Sequence, residues 1–175
     1  MKELTPEVKW QIAAKSASSL PVIYGIVLRD IVGEEYDRIV ERIWFHWGAE
    51  AREIAQACNL KVSPAPKLAA TLLEILKLLF GPEFRGEVLE LPNERSVLLI
   101  KLCPFLMRCR ELGENPLVIF HPCMAFSISA TESLNKDFSL RFIRGMCMGD
   151  RNCEVRIARR ESLESNDEHS DTNEK

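Results

Sequence analysis

The hydrophobic pattern of this chain changes character at Gly81-Pro82, where strand-like stretches first appear. Before that point apolar residues recur at three- and four-residue intervals, the mark of helices; after it, short stretches alternate apolar and polar, the mark of strands. A chain that runs helices first and strands second can fold as an α+β domain, with N-terminal helices followed by an antiparallel sheet of about four strands and crossing helices. Thr5-Pro6 opens the first helix with a side-chain cap and a proline at the first helical position. That helix should end near Ser19, because Pro21 lacks the N–H that would continue it. Val22 to Val32 then reads as a second helix, apolar nearly all round and so buried. From Glu34 to about Asn59 a long helix carries Tyr36, Ile39, Val40, Ile43, Trp47, Ile54 and Cys58 as its inner stripe. A fourth helix covers Lys67 to Phe80.

Beyond Gly81 the predicted elements are a hairpin (Gly86 to Leu91 and Ser96 to Leu102, turning at Asn93-Glu94), a short helix from Pro104 to Leu112, and a helix from Pro122 to Leu134. Two further strands follow, Phe138 to Ile143 and Cys153 to Ile157. Residues 1–159 are read as one domain, a helical part to residue 82 and a Cys-rich α+β part after it. The segment 160–175 carries six acidic and two basic residues with one apolar side chain, too few to bury, and is expected to be disordered with His169 solvated. Removing its net charge of −4 from the total of −3 leaves the rest near +1. With no basic stripe, nucleic acid is not an expected partner.

No run approaches the roughly 20 apolar residues of a membrane span. The longest, Leu68 to Phe80, is interrupted by Thr71, Glu74 and Lys77. The opening M-K-E-L-T-P-E-V-K lacks the apolar core of a secretory signal. Both features point to a cytoplasmic protein without membrane partners, whose thiols stay reduced.

Five of the six cysteines lie in the second half. Cys103 and Cys109 share a C-x5-C spacing with Cys147 and Cys153, and Cys123 stands between the pairs in F-H-P-C. Gly149-Asp150 supplies a tight turn that folds Cys147 and Cys153 toward one another across a hairpin. Two thiolates so placed can hold half of a tetrahedral zinc site or anchor a cluster; free cysteines are also common as small buried hydrophobes. Cys103 precedes a helix opened by Pro104, where backbone N–H groups and the dipole favour a thiolate. It is the best candidate for a nucleophile or ligand, with Cys109 and Cys58 assigned mainly to packing. His121, two residues from Cys123, is a candidate base or co-ligand. Trp44 and Trp47, in W-F-H-W, either pack the core or line a pocket. There is no G-x-G-x-x-G, P-loop, H-E-x-x-H or G-x-S-x-G, which disfavours nucleotide chemistry and the common hydrolase elbows.

The succession C-P-F-L-M-R-C-R-E-L-G, F-H-P-C and R-F-I-R-G-M-C-M-G-D-R-N-C-E-V-R-I, within residues 96–158, resembles the L-2-amino-thiazoline-4-carboxylic acid hydrolase-like family. It is similar, more distantly, to the vinyl-reductase-type small-molecule-binding domains. The resemblance implies an α+β domain and, from the related sensor domains, a thiolate-bound zinc beside a ligand pocket. Cys123, Cys147 and Cys153 would then be ligands, and Cys103 the Cys-Pro position of the hydrolase-like proteins. The chain departs from that pattern where Met124-Ala125-Phe126 follow Cys123 in place of an early Asp, and in its additional Cys109.

Three functions are compatible with these features. One is a hydrolase-like protein acting on a small cyclic C–N substrate, with Cys103 and His121 catalytic and Cys103, Cys123, Cys147 and Cys153 around a metal. The second is a non-catalytic small-molecule-binding or sensor domain, with a structural zinc or iron–sulfur centre and a pocket at Trp44 and Trp47. The third is an interaction protein whose aromatic helix forms a homodimer. A closed four-thiolate site would favour the second and an open site with a bound water the first. An all-thiolate site usually leaves no open position, which is an objection to catalysis at the metal, but no feature of the sequence separates the two.

Overall fold

The structure, a computed structural model, describes residues 3–164. Five principal helices surround one face of a four-stranded antiparallel sheet, so the chain is an α+β fold with its helices first. The order is α1 (Pro6–Val32), a 3-10 turn, α2 (Tyr36–Ala49), α3 (Ala51–Ala57), α4 (Ala65–Phe80), β1 (Arg85–Leu91), β2 (Arg95–Leu102), α5 (Pro104–Leu112), α6 (Phe120–Leu134), β3 (Phe138–Arg144), β4 (Cys153–Arg159) and α7 (Arg160–Glu164). In the sheet the strands run β1-β2-β4-β3, which makes the hairpin strand β2 and the last strand β4 the central pair.

Helix α1 begins as its residues dictate, with the Thr5 hydroxyl accepting from the Val8 N–H and Pro6 at the first position. It does not stop at Pro21. One helix runs to Val32 and closes on Gly33 at a φ of 66°. Proline deletes a single backbone bond, while Ala14, Ser18, Val22 and Gly25 along one side are buried against the rest of the molecule; packing outweighs the lost bond. The stretch Val22 to Val32 is not buried as its composition suggested. Tyr24, Val27 and Ile31 are 54%, 56% and 75% exposed.

The long helix predicted from Glu34 is interrupted at Glu50, and its inner face is the predicted one only in part: Tyr36 is buried and Val40, Trp47 and Ile54 pack partly against the core. Tyr36, Trp44, Gly48, Ala51 and Ala55 are buried, whereas Ile39, Ile43 and Cys58 are exposed. The cause is α6, against which α2 packs along its length. A Cβ on Gly48 would stand 2.5 Å from the Phe126 carbonyl oxygen, so only glycine permits this approach. The Ser129 hydroxyl donates to the Phe45 carbonyl at 2.5 Å and ties the two helices at the same level.

Within the core, Trp44, Trp47, Phe80, Phe105 and Phe126 form one aromatic cluster, with ring centroids 4.5 Å apart for Phe80 and Phe105 and 5.3 Å apart for Trp44 and Phe105. Edge-on contacts dominate it, the arrangement that opposes ring faces to ring edges. Helices α4 and α6 cover the sheet face built by Leu98, Ile100, Leu140, Val155 and Ile157.

Residues 160–164, predicted to be disordered, form α7; the remainder of that acidic segment, including His169, lies outside the described residues. Two helical stretches, Pro6–Ala57 and Pro116–Leu134, are long and apolar enough to cross a bilayer by length and composition, which the reading of short apolar runs missed. Of the 18-residue apolar window in each, half is buried in the second stretch and 22% in the first.

Candidate functional site: a four-thiol cluster beneath a closed apolar cavity

The topology gathers four cysteines from four separate places. Cys103 follows β2 directly and caps α5, and Cys153 begins β4, beside Ile100 of β2. Cys147 lies in the 3-10 turn Met146–Met148 between β3 and β4, and Cys123 sits in the first turn of α6. The turn at Gly149 (φ 102°) bends the β3–β4 connection back, and the Asp150 carboxylate accepts from the Gly145 N–H at 2.9 Å. Negative charge on any of Cys103, Cys147 or Cys153 would raise the cost of ionising Cys123, so the four sulfurs lie within electrostatic reach of one another.

Burial pushes all four thiols upward: Cys103 to about 12, Cys147 to about 11, Cys123 well above its ordinary value and Cys153 in the same direction. Each sulfur nevertheless receives a hydrogen-bond donor that favours the thiolate. The Leu106 and Phe105 N–H groups lower Cys103, the Ser127 hydroxyl lowers Cys123, and the Cys147 and Met148 N–H groups lower Cys147, each by less than burial raises it. The Met146 N–H lies 3.3 Å from the Cys153 sulfur. At Cys103 the helix N-terminus does act as the sequence predicts, but desolvation outweighs it, and the metal-free thiol is protonated near neutrality.

Cys109 is fully buried in α5, raised to about 11 by desolvation, then by Glu114 and Cys147, with no donor that lowers it. Cys58 is exposed at the end of α3. His121 is exposed, its ring edge-on to Phe120 at 5.7 Å. Helix α6 begins before it, so two residues of separation turn His121 and Cys123 to different sides. The pairing of His121 with Cys103 or Cys123 expected from F-H-P-C is not among the described contacts.

Cys123 helps to line a small, partly enclosed cavity of about 20 Å³, bounded also by Pro21 and Gly25 of α1, Tyr36 and Trp44 of α2, and Phe105 of α5. As it stands it holds about one water. Trp44 lines it; Trp47 packs in the aromatic cluster and does not. The sequence offered no signal for Pro21, Gly25 or Tyr36 as pocket residues, because they belong to a helix pair whose crossing is set by long-range contacts. Larger surface grooves of about 380 and 620 Å³ flank the end of α4 and are open to solvent, away from the thiols. Among the described residues, no group of three or more His, Cys, Asp or Glu side chains is arranged so that it could hold a metal ion.

No protein-family model matches the chain, and no curated protein matches it in sequence. The expected kinship with the thiazoline-carboxylate hydrolase-like proteins therefore has no family match behind it. Solved structures do match. A trafficking protein particle complex subunit 3 from Naegleria fowleri, covalently bound to palmitic acid, aligns with a TM-score of 0.58 at 12% identity, over 83% of this chain and 95% of the other. The phenol-responsive sensory domain of the transcription activator PoxR, with phenol, aligns with a TM-score of 0.59 at 12% identity, over 91% of this chain and 82% of the other. At this identity the likeness is one of fold, and the helices-then-sheet architecture is shared with both proteins.

Proposed function

We propose that this chain is a small-molecule-binding domain, in which an apolar ligand occupies an opened form of the cavity beside Trp44 and four cysteines hold a zinc ion beneath it. The observation that carries this reading is the double position of Cys123, which walls the cavity and belongs to the thiol cluster. Cys103, Cys123, Cys147 and Cys153 suit such an ion chemically: four soft donors, each already supplied with an N–H or O–H that favours the ligating thiolate. When bound, the metal would cross-link β2, α6 and the β3–β4 turn, and a ligand pressing on Cys123 would be felt in both. The two solved neighbours carry palmitic acid and phenol, which accords with an apolar ligand between these helices. The lining side chains are apolar apart from the Tyr36 hydroxyl, the Trp44 indole N–H and the Cys123 thiol, so the ligand class is a hydrophobic molecule with few polar atoms.

The test combines elemental analysis of anaerobically purified protein with titration of its Trp fluorescence by phenol and by palmitate. About one zinc per chain is expected, lost in Cys123→Ser and Cys147→Ser but kept in Cys58→Ser, together with saturable quenching that Trp44→Phe removes. Protein free of zinc and iron would overturn the metal half of the reading. Fluorescence unmoved by either compound would overturn the ligand half.

A further inference from the structure

Helix α1 has two apolar faces, and among the described residues only one of them is packed. Ala14, Ser18, Val22 and Gly25 face the core. Across the helix, Leu20, Tyr24, Val27 and Ile31 fall at spacings of four, three and four residues, within about 60° of arc at 100° per residue. That is the stripe of a helix–helix seam. Ile23 and Leu28 widen it on either side, and all six residues are exposed. From Leu20 to Leu28 this face carries no charged residue.

We infer that this stripe is the docking surface for α1 of a second copy of the same chain, the two helices crossing antiparallel about a two-fold axis. Six side chains of about 200 Å² each, roughly half exposed, present on the order of 600 Å² of apolar surface, which is what one partner contributes at the lower end of stable interfaces. A single patch of that size is at the upper limit for a monomer. The stripe is complementary to itself. With the axis between Tyr24 and Val27, Leu20 meets Ile31 and Tyr24 meets Val27, and each pair recurs on the other side of the axis, as an isologous contact requires. A bilayer is the less fitting occupant. The end of the stripe is bordered by Asp30, Glu34 and Glu35, and the basic residues beside it, Arg29 and Arg38, are paired with Asp37 and Glu35. A face that binds anionic lipid would present free basic groups.

Sedimentation velocity on the full chain over a micromolar dilution series tests this, with the double variant Val27→Glu/Ile31→Glu alongside. Both positions are exposed and lie outside the cavity, so the variant should keep its circular dichroism and melting temperature. The expected result is a dimer for the natural chain, with self-association weakened on the order of a hundredfold or more in the variant. A monomer at every concentration would overturn the proposal, and so would a dimer that survives the double substitution. A monomeric chain that floats with phosphatidylcholine vesicles and loses that behaviour in the variant would overturn it in favour of a membrane surface. Antiparallel pairing predicts that Leu20→Cys with Ile31→Cys cross-links on oxidation; efficient self-cross-linking of Leu20→Cys alone would overturn the antiparallel seam.

Discussion

Cys123 and Trp44 line the same small cavity, one from the first turn of α6 and the other from the middle of α2. The cavity is thus joined on one side to the thiol cluster and on the other to the aromatic core. A ligand that opened it would have to move α1, the wall made by Pro21 and Gly25, because the opposite walls are held by the α2–α6 contact.

Gly48 sets that contact. Gly48→Ala places a methyl group 2.5 Å from the Phe126 carbonyl oxygen and 2.9 Å from the Ser129 Cβ, where neither can retreat without separating the helices. The substitution should cost about 2–3 kcal/mol in urea unfolding. A change below about 0.5 kcal/mol would show that the helices are not so closely held.

Gly25 controls the other wall. A Cβ there would stand 3.0 Å from the Tyr36 hydroxyl, at the end of a side chain that can shift. Gly25→Val should fill the cavity, weaken phenol binding at least tenfold by fluorescence titration, and alter stability by less than about 1.5 kcal/mol. Unchanged affinity would place the ligand elsewhere.

Pro21 removes a backbone bond from the middle of α1, and its ring crowds the preceding turn. Pro21→Ala should therefore raise the stability of the chain, by about 1–3 kcal/mol at the midpoint of chemical unfolding. A loss of stability would mean that the ring's packing at the cavity outweighs the helix it interrupts.

The thiols predict a pH dependence. In metal-free protein Cys103 and Cys147 are raised to about 12 and about 11, from an ordinary value near 9, by burial. A group raised on folding stabilises the fold fully below its unfolded value and loses that contribution as pH rises toward its folded value. Stability of the chelated, reduced protein should thus decline between pH 9 and about 12. In the same preparation at neutral pH, Ellman's reagent should modify Cys58 rapidly and Cys109 only after unfolding, since one is exposed and the other fully buried. Equal rates for the two would contradict the packing of α5.

Much of this fold is legible in local sequence. The cap at Thr5-Pro6, the change of period at Gly81, the hairpin turn at Asn93-Glu94 and the helix opened by Cys103-Pro104 and closed at Gly113 all rest on residue types acting on their nearest neighbours. The four cysteines of the cluster were legible as candidates for the same reason: thiols are few and their chemistry is distinct. Which side of a helix is buried was not legible where apolar residues surround it. Ile39 and Ile43 look as suited to a core as Trp44 and Gly48, and α2 turns the latter pair inward only because α6 approaches through Gly48. Likewise Val22 to Val32 reads as interior, yet one side of it is exposed, since α4 and α5 reach only the other. His121 and Cys123 are close in sequence but diverge on α6, while Cys103, Cys123, Cys147 and Cys153 converge from elements up to 50 residues apart. Periodicity and turn chemistry act over a few residues and are written locally; burial, desolvation and the meeting of sulfurs depend on contacts between distant segments, which exist only once the chain has packed.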